Sequence, residues 1–232
     1  MLNNRLHLRT ARPSSRGGFT LVELLVVIGI IAILAGVALG PITNGIKQAK
    51  HNAAMQQGRQ IGQVEFSYST DNTSNGNAYP ADTTALAISQ DLINANYVSD
   101  PSVFGVSSQA SYTPATSAGT AVTLVADSVS WNYTTNSLTT TGGITSAASD
   151  LIPLVYFNNG FSTTISATLK AVAGTGMTVT YGTAAPFGTD GTAVFYKGNN
   201  AAYIKALGTT PGQIANFISP NCTDTATYNV AQ

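Results

Sequence analysis

An uncharged run from Leu24 to Gly40, entered through a lone carboxylate at Glu23, constrains this chain more than any other feature. Phe19 to Val22 extend its apolar character to the roughly 20 residues that cross a bilayer as helix. Arg5, Arg9, Arg12 and Arg16 precede it with no acid among residues 1–18. Cations on that flank predict an N-terminus held in the cytoplasm. Three ordinary uses of such a segment are a secretory signal peptide cut near Ala38 or Gly40, an uncleaved anchor, and a lipoprotein signal. The last fails, because Leu34-Ala35-Gly36 is followed by Val37 and not by cysteine. Neither of the others has a use for Glu23, since an unpaired carboxylate at the edge of an apolar span is costly. A cationic partner would account for it, and cleavage after Gly18 would create one in the α-amine of Phe19.

Composition points the same way. Charged residues make up 9% of the 232-residue chain and apolar residues 44%, against roughly 25% charged in soluble domains. After residue 18 there remain six Lys or Arg against ten Asp or Glu. That part is acidic overall and lacks the clustered basic face that a phosphate backbone demands, so nucleic-acid binding is not expected. One cysteine, Cys222, excludes an intrachain disulfide and any zinc or iron–sulfur spacing.

The residues Gly18-Phe19-Thr20-Leu21-Val22-Glu23-Leu24-Leu25-Val26-Val27-Ile28 resemble the type III signal of type IV pilins and type II secretion pseudopilins. The likeness covers about residues 12–42. It implies cutting by prepilin peptidase between Gly18 and Phe19, methylation of the Phe19 amine, and pairing of Glu23 with the Phe19 amine of an adjacent subunit. It also implies insertion of the precursor in the inner membrane, an inner-membrane assembly platform, and a periplasmic or extracellular filament of this chain or of pilin-like subunits. Thr20 would start the helix, with an N-cap as its ordinary role. Many of these proteins carry proline at the position of Gly40, whereas here it follows as Pro41. A helix is expected to be weak across Leu39–Ile42, because proline removes a hydrogen bond.

Downstream, apolar or small residues recur at Ile42, Ile46, Ala49, Ala53, Ile61, Val64 and Tyr68, interrupted at Gln57. That spacing predicts an amphipathic helix with Lys47, Lys50, Arg59 and Glu65 off the packed face. With residues 19–41 it gives one helix of about 50 residues, roughly 75 Å at 1.5 Å per residue. The loop from Asp71 to Pro80 ends it. Its Asp71, Thr73, Asn75, Gly76 and Asp82 fall at calcium-loop offsets, but Thr73 and Asp82 are poor matches and an Asx-type turn accounts for the stretch. No metal and no cofactor is expected. Ala85–Asn96 reads as a second helix. Strands are expected at Ala121–Ala126, Val129–Tyr133, Ile152–Phe157, Ile165–Val172, Met177–Tyr181, Ala193–Lys197 and Ala201–Lys205, the last two joined through Gly198-Asn199-Asn200.

The expected fold is therefore α+β and pilin-like: one long N-terminal helix packed on a small antiparallel sheet. Its parts are a leader (1–18), a membrane and polymerisation helix (19–41), an amphipathic half (42–70) and a β-rich head (71–232). Trp131 and the ten tyrosines serve either as an adhesive surface or, more commonly, to pack sheet on helix. His51 and Cys222 could formally make a nucleophile–base pair, against the plainer reading of a surface histidine and a free thiol. No phosphate loop, Gly-x-Ser-x-Gly or His-Glu-x-x-His occurs, so a structural subunit is expected and not an enzyme. Pilus subunit, secretion pseudopilin and adhesive tip stay open, and the missing disulfide leans towards the pseudopilin.

Overall fold

A computed structural model describes residues 18–106, 114, 116–118, 121–125, 127–157, 168–170, 174–180, 187, 190–206 and 213–232. Residues 1–17 of the expected leader lie outside them, as do Ala126, Tyr181 and the parts of Ile165–Val172 that flank Thr168–Lys170. The chain divides into two compact units, Met1–Gly45 and Ile46–Gln232.

In the first unit the described residues are helical from Leu21 onward. They begin helix α1 (Leu21–Asp71), which runs through Pro41 without interruption. The weak point expected at Leu39–Ile42 is thus helical. Proline still removes the donor at position 41. Close by, Thr43 Oγ1 donates to the Gly40 carbonyl at 2.8 Å.

Among its described residues the second unit holds the remainder of α1, helix α2 (Ala85–Asn94) and ten strands: β1 (Thr116–Ala118), β2 (Ala121–Thr123), β3 (Trp131–Thr135), β4 (Pro153–Phe157), β5 (Thr168–Lys170), β6 (Met177–Thr180), β7 (Gly191–Tyr196), β8 (Asn200–Lys205), β9 (Gln213–Ile218) and β10 (Thr227–Ala231). Six of them form one antiparallel sheet in the order β5-β10-β3-β4-β7-β8, while β1–β2 and β6–β9 are separate ribbons. This is the α+β, pilin-like architecture expected from the sequence. The β7–β8 hairpin closes as its residues demand: Asn199 takes φ 59°, a left-handed turn conformation that asparagine tolerates. Its N–H donates to Tyr196 O at 3.0 Å.

The packed face of α1 differs from the apolar stripe expected. The buried residues are His51, Ala54, Gly58, Ile61, Gly62, Glu65 and Ser69, whereas Ile46, Ala49 and Ala53 are exposed and Val64 and Tyr68 only half-buried. The reason lies in the sheet. Trp131 of β3 and Phe195 of β7 present large rings to the helix, so the helix must offer almost nothing in return. A Cβ at Gly58 would lie 3.0 Å from Trp131 Cη2, and one at Gly62 would collide with the Phe195 ring. Trp131, Tyr133, Tyr156, Phe157 and Phe217 are fully buried; Trp131 and Tyr133 pack sheet against helix, as the plainer expectation had it, while Tyr156 meets Phe217 of β9. Trp131 meets Phe157 edge-on with ring centroids 5.4 Å apart.

Helix α2 is capped by Thr84, whose Oγ1 accepts from Ala87 N at 3.2 Å. It is tied to the sheet by Ser89 Oγ and Tyr133 OH, 2.8 Å apart. The Asp71–Pro80 loop turns through Gly76 and Asn77, both at positive φ. Asp71 ends α1 and accepts from Tyr97 OH at 2.8 Å. Asp82 bonds its neighbour Thr83, so the two carboxylates of the calcium-like spacing serve different partners.

Candidate functional site

Gly18 and Phe19 precede the helix in non-helical backbone, and the Phe19 side chain is 83% exposed. Gly18 has nothing within 4 Å of where a Cβ would stand. The junction is therefore open to a protease on all described sides, and a residue without a side chain allows close approach.

Two residues further on, Thr20 starts α1. Its carbonyl accepts the first helical bond, from Leu24 N at 3.3 Å. Thr20 Oγ1 accepts from Glu23 N at 3.2 Å, and Glu23 Oε2 accepts from Thr20 N at 2.8 Å and from Thr20 Oγ1 at 2.9 Å. This reciprocal pattern is a capping box, which satisfies donors left over at a helix start. The carboxylate also sits in the first turn, where the helix dipole favours negative charge. Glu23 hence has a local use as a helix cap, independent of any cation. The signal was legible as Thr-x-x-Glu ahead of an apolar run. Glu23 Oε1 makes no hydrogen bond among the described residues, so one oxygen remains for an external cation.

From Leu21 to Ile46 the large apolar side chains are exposed, Val27 at 47% and Leu21 at 79% marking the range within the span. The segment is long and apolar enough to cross a membrane. Such a surface is tolerable only against lipid or against other apolar helices.

The remaining candidates separate. His51 is not a surface residue: it is buried with its ring stacked on Tyr203, centroids 3.7 Å apart, and edge-on to Phe187 at 5.4 Å. Burial pushes its pKa down, with Asp190 opposing. Cys222 is buried as a free thiol in the turn between β9 and β10, and its N–H donates to Ser219 O at 3.0 Å. Glu65, expected off the packed face, is fully buried with Oε2 lacking a partner, and burial raises its pKa well above the usual carboxylate range. No group of three His, Cys, Asp or Glu that could hold a metal occurs among the described residues.

The prokaryotic N-terminal methylation motif matches residues 13–39, the stretch containing Gly18, Phe19, Thr20 and Glu23. No curated protein and no solved structure matches the chain. An exposed junction, a capped helix start and a lipid-compatible span thus coincide with that motif, and the chain carries at its N-terminus the prepilin signal of type IV pilins and pseudopilins.

Proposed function

We propose that this chain is a structural subunit of a type IV pilus-like filament. Prepilin peptidase removes residues 1–18 by cutting between Gly18 and Phe19, and the Phe19 amine is then methylated. Residues 19–41 hold the precursor in the inner membrane and afterwards pack with the same segment of other subunits. Residues 42–70 carry the β-rich head, 71–232, to the filament surface. Glu23 offers its free oxygen to the Phe19 amine of an adjacent subunit, so that neither charge is left alone in an apolar bundle.

The observation that carries this reading is the coincidence of the motif at 13–39 with a helix whose cap begins immediately past the junction. Mass spectrometry of the mature protein tests it. A methylated Phe19 is expected as the first residue; an N-terminus at Met1 or beyond Gly40 would overturn the reading. A second version, the type II secretion pseudopilin, draws support from Cys222 being the lone cysteine, because a terminal disulfide loop is then impossible. A shed, sedimentable polymer made mostly of this chain points to the pilus; a scarce protein retained in the envelope points to the pseudopilin.

A further inference from the structure

The mature part of the chain has six cationic side chains; two of them, Lys47 and Lys205, act on His51, and a third, Lys50, is exposed on α1 immediately before it. Lys47 and Lys50 lie on α1, one helical turn and one residue before His51. Strand β8 brings Lys205 to the same place: Lys47 Nζ pairs with Asp190 Oδ2 at 3.1 Å, and Gly191, next in the chain, is the register partner of Lys205. Lys50 and Lys205 are exposed, and the Lys47 side chain remains 58% exposed despite its ion pair. Asp190 is the acid paired with this group, so the patch is positive on a chain that is otherwise acidic.

Its position along the sequence gives the patch a partner. Lys47 is the first charged residue after Glu23. The uncharged residues 24–46 measure about 35 Å as helix, slightly more than the roughly 30 Å of a hydrocarbon core. Lys47 and Lys50 therefore emerge at headgroup depth on the side opposite the leader. Cations are disfavoured on that flank by the positive-inside tendency, so their presence there calls for a use. A lysine stem lies along apolar surface while its ammonium reaches the phosphate layer, and each such cation is attracted to an anionic membrane surface.

We propose that Lys47, Lys50 and Lys205 form a seat for anionic phospholipid headgroups that holds the head against the membrane before assembly. The proposal rests on reading residues 19–41 as a membrane span. The seat is electrostatic and shallow, so it releases when the subunit leaves the bilayer.

The test uses the full-length chain in vesicles of phosphatidylcholine containing spin-labelled phosphatidylglycerol or spin-labelled phosphatidylcholine. The expected result is a severalfold preference for the anionic lipid, reduced by salt and reduced in the Lys50→Gln/Lys205→Gln variant. That variant leaves the Lys47–Asp190 pair in place, and its unfolding temperature checks the head. Adding Lys47→Gln is expected to lower the preference further. The leader arginines are common to every variant, so only the difference between variants counts. An unchanged preference across the variants would overturn the seat while leaving the span intact. Cross-linking of these lysines to acids of a neighbouring subunit, without lipid preference, would overturn it in favour of a subunit contact. A chain that enters neither kind of vesicle would overturn the membrane reading itself.

Discussion

Thr20 and Glu23 bond each other in both directions, so the carboxylate that caps α1 is also the one proposed to meet a neighbouring subunit's amine. The two uses separate by substitution. Glu23→Gln keeps a side chain that can close a capping box but removes the charge. Normal membrane insertion and cleavage with little or no sedimentable filament is expected. Thr20→Ala loses the cap, at about 1 kcal/mol, and is expected to fray the helix start yet still assemble. Filaments of normal yield from Glu23→Gln would show that the cap, not the charge, is what the residue supplies.

Gly62→Ala sets helix propensity against packing. In an open helix the change stabilises by about 1 kcal/mol. At Gly62 the new methyl would meet the Phe195 ring, and overpacking of this kind costs about 1–3 kcal/mol. A lowered thermal midpoint of the head is expected. Gly45→Ala, where nothing lies within 4 Å of the new Cβ, serves as the comparison and should leave the midpoint unchanged or raise it. A Gly62→Ala head as stable as wild type would mean that Phe195 moves aside freely.

Glu65 makes stability depend on pH in an unusual direction. Its carboxyl is buried, and the titratable groups facing it are Tyr79 before α2 and Tyr133 on β3, neither of them cationic. The folded pKa is raised by burial, while the unfolded carboxyl keeps its ordinary value near 4.3. The folded state therefore binds more protons over this interval. Its stability is fully present below about pH 4 and is lost as pH climbs towards the raised value, by at most about 1.4 kcal/mol per unit. Glu65→Gln is expected to flatten the profile. Urea unfolding from mildly acidic to mildly alkaline pH measures it; parallel profiles for variant and wild type would refute the assignment.

Pro41 leaves α1 helical but one backbone bond short. Pro41→Ala is expected to slow amide exchange over residues 38–45 in micelles, since the missing donor returns. Unchanged exchange would mean that the bond missing to the Val37 carbonyl does not loosen this turn.

What the sequence made legible was local. The arginines, Gly18, Phe19, Glu23 and the run to Gly40 act through neighbours in the chain, so their meaning survives without a fold. The capping box of Thr20 and Glu23 is equally local. The packed face of α1 was not legible, because Gly58 and Gly62 are selected by Trp131 and Phe195, which lie far along the chain. Glu65 was placed by polarity, yet the helix phase set by those glycines turns it inward. Strand β9 escaped because Asn216 takes a left-handed φ of 55° within it, breaking the alternation. Strand β10 escaped because five residues with Asn229 at their centre give a weak pattern, even though Tyr228 and Val230 point into the core.

The place of β10 between β5 and β3 also fixes a schedule. Tyr133 pairs with Val155 of β4 on one side but on the other waits for Ala231 of β10, so β3 emerges long before the strand that covers this second edge. At usual synthesis rates that wait is on the order of ten seconds. During it the large sheet has an open seam and cannot close. The six-stranded sheet is thus a late event, completed only when the last of its strands has been made.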